Sequence, residues 1–223
     1  MAHNMKHGIV TGSSRGIGLA TVELLTKQSG FKVIGSSTAG NNPLGLSNFK
    51  CLKLDLSSSD SIDKFVENLG DIKLNFLINN AGVLLEKWDA STINMEQLKH
   101  TFDINVFGTI EFTEKLLQLF TNNAHIINIT SDWGSFSEQN FDTFQPHYKM
   151  SKAAINMYTK LLAKRLENEN IKVSSLDPGW TQTDMGGKIA PRLPKDVAID
   201  ILNLLNTDVE SGQFWHQGKV RKW

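Results

Sequence analysis

Tyr148 and Lys152 stand four residues apart in the run Tyr148-Lys149-Met150-Ser151-Lys152, a spacing that stacks two side chains on one helix face. An ammonium beside a phenol favours the phenolate. An ordinary tyrosine titrates near about 10 and exchanges protons poorly at neutral pH; a neighbouring lysine makes it a usable general acid or base. A second chemical signature lies near the start of the chain, in Thr11-Gly12-Ser13-Ser14-Arg15-Gly16-Ile17-Gly18. Between a strand and a helix, glycines let the backbone turn tightly and approach a pyrophosphate held at the positive end of the helix. The Gly-x3-Gly-x-Gly spacing differs from the commoner pattern and taken alone fits a packing turn equally well. Its place after the first strand and before the first helix selects dinucleotide binding. The two signatures together imply a nicotinamide-dependent oxidoreductase.

The choice of cofactor is read from an absence. An acidic residue about 20 positions after such a loop holds the 2′-hydroxyl of NAD, yet no Asp or Glu occurs between Glu23 and Asp55. The second strand instead ends in Ser36-Ser37-Thr38, whose hydroxyls suit a 2′-phosphate, and Arg15 offers positive charge. NADP(H) is the expected cofactor. The competing reading makes Arg15 a solvated charge and the serines a plain strand end.

These groups need a scaffold, and the chain supplies one of ordinary size. With 223 residues and 40% apolar content it fits a single α/β domain over residues 5–223. Residues 1–4, ahead of Met5, read as an expression remnant. Lys plus Arg and Asp plus Glu are both 23, so charge makes no case for nucleic acid or an anionic membrane. Cys51 is the lone cysteine, which excludes an intramolecular disulfide and makes the cytoplasm the expected compartment. Neither a signal peptide nor a membrane-spanning apolar run is evident.

Short apolar strands are expected at 7–10, 31–34, 49–54, 74–78, 125–129 and 173–176. Helices are expected at 17–27, from the Ser58-Ser59-Asp60 cap to 69, at 95–120, from Tyr148 to 166, and from Pro194 to 205. Residues 36–48 read as a loop, and Phe214-Trp215 as the strand that closes the sheet. Strands alternating with helices predict a doubly wound parallel sheet. Ser131 then ends the fifth strand and precedes Tyr148 by 17 residues, so serine and tyrosine meet at the strand edge where ligands bind.

Thr11 to Gly18, Asn79-Asn80-Ala81-Gly82, Asn105, Ser131, Tyr148, Lys152 and Pro178-Gly179 together resemble the short-chain dehydrogenase/reductase family over nearly the whole chain. The resemblance implies a Rossmann-type, mostly parallel seven-stranded sheet in one domain. It implies that Tyr148 donates the proton to a carbonyl oxygen, that Ser131 bonds the substrate, and that Lys152 lowers the tyrosine pKa and holds the nicotinamide ribose. Asn105 would hold a water linking the lysine to solvent. Gly12, Ser14, Arg15, Gly16, Ile17 and Gly18 would cradle the phosphates, and Asn80, Ala81 and Gly82 would wall the ribose. Asp55 and Leu56 would meet the adenine; Pro178, Gly179, Thr181 and Thr183 would meet the carboxamide and pyrophosphate.

Residues 178–187, Ala190-Pro191, 211–214 and Trp223 resemble the carbonyl reductase branch, which reduces varied aldehydes and ketones with NADPH. The segment between Ser131 and Tyr148 is much shorter than in animal carbonyl reductases, and the arginine often found after the second strand is missing. That shortness leaves homo-oligomer formation through the central helices open.

Trp133 and Trp180 are expected to give the substrate pocket an apolar, aromatic wall, with Phe141 and Phe144 as a lid; the alternative is that they pack loops on the core. Cys51 reads as a small core hydrophobe. His100, His125 and His147 lack metal-ligand spacing, and no metal is expected. The leading function is therefore NADPH-dependent reduction of small-molecule carbonyls. The alternatives are an NADP-binding redox sensor without turnover and an alcohol dehydrogenase working in the oxidising direction.

Overall fold

The computed structural model describes residues 5–46, 48–137 and 141–223. The expected remnant at 1–4, and Ser47 of the expected loop, lie outside the described residues. In chain order the elements are β1 (Lys6–Val10), α1 (Gly16–Thr26), β2 (Phe31–Ser37), β3 (Phe49–Lys53), α2 (Ser59–Glu67) and β4 (Leu74–Asn79). Then come α3 (Met95–Phe102), α4 (Thr109–Leu116), β5 (Phe120–Ile129), α5 (Pro146–Arg165), β6 (Lys172–Leu176), α6 (Pro194–Asn206), β7 (Gln213–His216) and β8 (Lys219–Arg221).

The strands form one sheet in the order β3-β2-β1-β4-β5-β6-β7-β8, parallel from β3 to β7. Consecutive residues of its central strands serve opposite layers. Ile9, Leu77 and Ile126 join Phe65, Phe112 and Leu162 in one apolar cluster. Val10, Ile78 and Ile127 join Val22, Leu25, Val197 and Ile201 in the other. With both faces covered, the strands read as unbroken apolar runs rather than alternating ones. The chain winds outward from β1 in one direction and from β4 in the other, so the crevice at their carboxyl ends is the topological switch point. Among the described residues no helix is long and apolar enough to cross a membrane.

Three elements depart from expectation. The fifth strand begins at Phe120 rather than residue 125, because its polar start Thr121-Asn122-Asn123 hides a strand whose register shifts against β4 between Leu74 and Phe76. The expected 95–120 helix is interrupted at Asp103–Gly108 by a π-helical segment, a widening common at functional sites. There the helix rests backbone on backbone: a Cβ at Gly108 would stand 1.9 Å from the Leu56 carbonyl oxygen. Finally, an eighth strand follows the expected seven. Gln217 and Gly218 have φ of 49° and 74°, the doubly positive signature of a two-residue hairpin turn, and β8 returns antiparallel on β7.

Candidate functional site

A cleft of about 710 Å³ runs along the carboxyl edge of the sheet. Gly12, Ser14, Arg15, Gly16 and Ile17 line one end. Gly18 sits beneath them, where a Cβ would stand 2.3 Å from the Gly12 carbonyl oxygen, so only glycine lets the loop close onto α1. No side chain caps α1, and its first turn is free of acidic residues, leaving a helix start suited to an anion. Asn80 ties this loop to the end of β4: its Nδ2 donates to the carbonyls of Thr11 at 2.9 Å and Gly12 at 3.2 Å. Ala81 and Gly82 continue the wall.

At the adenosine end Ser36, Ser37 and Thr38 all line the cleft, but their hydroxyls differ in availability. Ser36 Oγ accepts from the Gly12 N–H at 3.4 Å; Ser37 Oγ accepts from Gly40 N–H at 2.9 Å and lies 3.7 Å from Cys51 Sγ. Both serines are buried, and Thr38 is exposed. Each serine oxygen accepts one bond and keeps its O–H to donate, so Ser36, Ser37 and Thr38 all remain candidates beside Arg15, with Thr38 the most open. Cys51 is half-buried against the apolar cluster under β2 and β3. Arg15 pairs with Asp184 at 3.3 Å, both side chains largely in water. Asp55, next to Leu56 in the wall, accepts from the hydroxyl and N–H of Ser57, which holds its carboxyl below the usual range.

At the other end α5 presents Tyr148 and Lys152 on one buried face, with Lys152 Nζ 5.3 Å from the Tyr148 ring centroid. Nζ donates to the Ile129 carbonyl at 2.9 Å. Burial pushes the Lys152 ammonium down to about 8. Burial also pushes the Tyr148 phenol up, with Asp177 and Asp132 adding to the rise. The rise is opposite to the lowering expected from the Lys152 ammonium, because loss of water outweighs a cation engaged by a backbone carbonyl.

Ser131 Oγ donates to Asp132 Oδ1 at 3.0 Å and accepts from Trp133 N–H at 3.1 Å. Asn105 does not line the cleft; it sits behind Lys152 in the π-helical segment. Its amide exchanges bonds with both backbone groups of Val83, at 2.8 Å each, and reaches Ser151 Oγ at 3.1 Å. Pro178, Gly179, Thr181 and Thr183 close the far wall. Thr183 Cγ2 comes within 3.2 Å of where a Gly16 Cβ would stand, so that wall meets the glycine loop.

Beyond Tyr148 the cleft is lined by a row of indoles. Trp133 meets the Tyr148 ring edge-on at 6.0 Å, Trp88 meets Trp133 at 6.0 Å, and Trp180 lies 6.5 Å from Trp88. Trp180 is oriented by its Nε1, which donates to the Gly186 carbonyl at 2.6 Å. Sequence reasoning found Trp133 and Trp180 but missed Trp88 and Asp132. The signal for Trp88 was its position six residues after Gly82, in a loop that leaves the ligand-binding edge of β4. Phe141 and Phe144 are exposed and do not line the cleft, so they form no lid there; Phe141 instead faces the Lys149 ammonium, 5.6 Å from its ring.

The three histidines have structural settings. His125 is buried at 2.9 Å from Ser174 Oγ, which drives its pKa to about 4 by desolvation, while His147 pairs with Glu86 and His100 lies on α3. Among the described residues no cluster of His, Cys, Asp or Glu could hold a metal. The end of the chain is sewn to this region. Arg221 and His216 both bond the Asp177 carboxylate, just before Pro178, and Ser135 and Ser137 bond the carbonyls of Lys222 and Trp223.

The family model of short chain dehydrogenases matches residues 6–193. The short-chain dehydrogenase anuI of Penicillium roqueforti is 30% identical over 203 residues, covering 80% of each chain. Among solved structures, the carbonyl reductase Sniffer of D. melanogaster superposes with a TM-score of 0.88 at 28% identity, over 99% of this chain and 100% of that one. The NADPH-bound carbonyl reductase from chicken fatty liver gives a TM-score of 0.88 at 26% identity, with the same coverage.

Proposed function

Since the chain belongs to the short-chain dehydrogenase family, we propose that this oxidoreductase uses NADPH to reduce aldehyde and ketone carbonyls, in a single domain over residues 5–223. The observation that carries the reading is the cleft itself. It joins a glycine loop that admits a pyrophosphate to a buried tyrosine, lysine and serine, with no carboxylate at the end of β2.

The residues fit the cofactor. Glycine at 12, 16 and 18 lets the loop fold tightly against Ala81, Thr183 and its own backbone, where a Cβ would press on them, and the uncapped start of α1 suits phosphates. Ser36, Ser37, Thr38 and Arg15 would hold the 2′-phosphate, Asp55 and Leu56 the adenine, and Lys152 the ribose beside Asn80, Ala81 and Gly82. Bound NADPH supplies the hydride. Tyr148 gives its proton to the carbonyl oxygen, and its burial keeps the phenol protonated until that transfer. Ser131 holds the same oxygen by a hydrogen bond, its hydroxyl turning from Asp132. Asn105 fixes the loop after β4 and the α5 face behind Lys152, which keeps the ammonium in place.

The indoles of Trp88, Trp133 and Trp180 favour apolar or aromatic carbonyl compounds, and the Asp132 carboxylate disfavours anionic ones. The test is turnover of an aromatic ketone or quinone against a charged keto acid, with NADPH and with NADH. We expect the aromatic substrate to win, and NADPH to bind about tenfold more tightly than NADH, roughly 1.4 kcal/mol. Equal cofactor affinities, or preference for the keto acid, would overturn the corresponding half of the proposal.

A further inference from the structure

Glu86 has no part in the assignments above, yet its side chain is 1% exposed, as is that of His147. Its Oε1 accepts from the backbone N–H of His147 at 2.7 Å and of Tyr148 at 3.2 Å, and lies 3.2 Å from His147 Nδ1. A carboxylate on the first N–H groups of a helix is a favourable charge-dipole arrangement. Here it reaches α5 from a loop 61 residues earlier in sequence.

The local alternative is not used. Gln145, at the N-cap of α5, is in the left-handed region at φ 48° and gives no side-chain cap. Its amide turns back to the carbonyls of Lys87 and Trp88, and its N–H donates to Ala90 O at 2.8 Å. Asn94 N–H donates to His147 Nε2 at 3.0 Å, while His147 Nδ1 lies 3.2 Å from Glu86 Oε1 without a hydrogen bond to it. Bonds through Glu86, Gln145 and His147 thus rivet the 86–94 loop, which carries Trp88, to the helical turn that carries Tyr148. Capping a helix this way is costly: the carboxylate is buried, and its Oε2 has no hydrogen-bond partner. A serine or aspartate at position 145 would cap α5 locally without burying a remote charge.

We propose that Glu86 is a positioning residue that fixes the Tyr148 phenol and the Trp88 indole as one unit, joining proton donor and substrate wall. The proposal rests on the reading of Tyr148 as the proton donor. Its consequence is a split between substrates: loosening Glu86 disturbs the carbonyl site and spares the cofactor end, since the bonds of Glu86 run to the first turn of α5 rather than to the glycine loop or β2.

The test compares Glu86→Ala and Glu86→Gln with wild type and Tyr148→Phe, reading kcat, KM for an aromatic ketone, NADPH affinity, and amide hydrogen exchange at residues 147 and 148. In Glu86→Ala we expect kcat to fall by about tenfold or more, KM for the ketone to rise, and NADPH affinity to stay within about twofold. The two amides should exchange faster. Glu86→Gln keeps an acceptor for both N–H groups and should recover most of kcat and the protection. Wild-type kcat in Glu86→Ala would overturn the proposal, as would a loss shared equally by NADPH affinity and not rescued by Gln. Should Glu86→Ala not fold, Glu86→Asp withdraws the acceptor by one methylene and carries the same expectation; unchanged kcat there overturns the proposal too. Turnover by Tyr148→Phe would instead overturn the acid assignment, while amide exchange still judges the Glu86 contact directly.

Discussion

The two ends of the cleft hold their charges in opposite surroundings. At the adenosine end Arg15 and Asp184 pair at 3.3 Å with 79% and 77% of their side chains exposed, where water and salt screen them. At the carbonyl end Glu86 and His147 pair at 3.2 Å with 1% exposed, and Tyr148 and Lys152 are buried beside them. The first pair can be exchanged at little cost, and under the proposed reading it bears on which cofactor is favoured. The second is fixed in place, and its geometry is its contribution.

Breaking the buried end should give the largest effects. Tyr148→Phe removes the transferred proton and keeps the ring, so turnover should fall by about 10²–10⁴-fold with NADPH affinity nearly intact; activity near wild type would refute the assignment. Lys152→Ala should damage both, because that ammonium is proposed to serve ribose and catalytic face alike. The same lysine predicts a pH profile. Its pKa is lowered to about 8 by burial, so it is charged below that value and neutral above it. Reductive kcat/KM should therefore fall as pH rises through about 8, while Tyr148, shifted the other way, stays protonated across that window. A flat profile through pH 8 would show that the charge of Lys152 is dispensable.

Trp88→Ala should weaken an aromatic substrate by about 0.5–1.5 kcal/mol beyond lost contact area, read as a raised KM with NADPH kinetics unchanged. At the exposed end the effects shrink. Thr38→Asp or Ser37→Asp should shift preference toward NADH by repelling a 2′-phosphate, both positions lining the cleft. Asp184→Asn should free Arg15 and tighten NADPH by about twofold at low salt only. A salt-independent gain would mean that the two ends are less different than their exposure indicates.

What the sequence disclosed follows the same division. The glycine loop, Asn80, Ser131, Tyr148 and Lys152 lie at strand ends or on one helix face, where a period and a short spacing determine position. Those residues line one cleft or lie directly beneath it. The direction of Ser36 and Ser37 was not legible, since it depends on Gly12 and Gly40 contacts across the loop. Nor was the break in the 95–120 helix, set where Gly108 meets the Leu56 backbone, nor the return of β8, set by two backbone angles at a Gln-Gly turn. Trp88 and Glu86 escaped because their meaning arises only when a loop from β4 folds onto the start of α5, a contact between distant segments that leaves no periodic trace.

The attachment of the chain's last residues has a practical consequence. Arg221 bonds the carboxylate preceding Pro178, and the carbonyls of Lys222 and Trp223 accept from Ser135 and Ser137, so this short tail braces both walls of the site like a clasp. Arg221→Ala would therefore loosen both walls from a distance, while Trp223, stacked at 5.2 Å on the buried Phe214, ties the clasp to the core. The geometry of the cleft thus depends on residues 221–223, which never line it, and a specific activity reports the state of that segment as well as of the cleft itself.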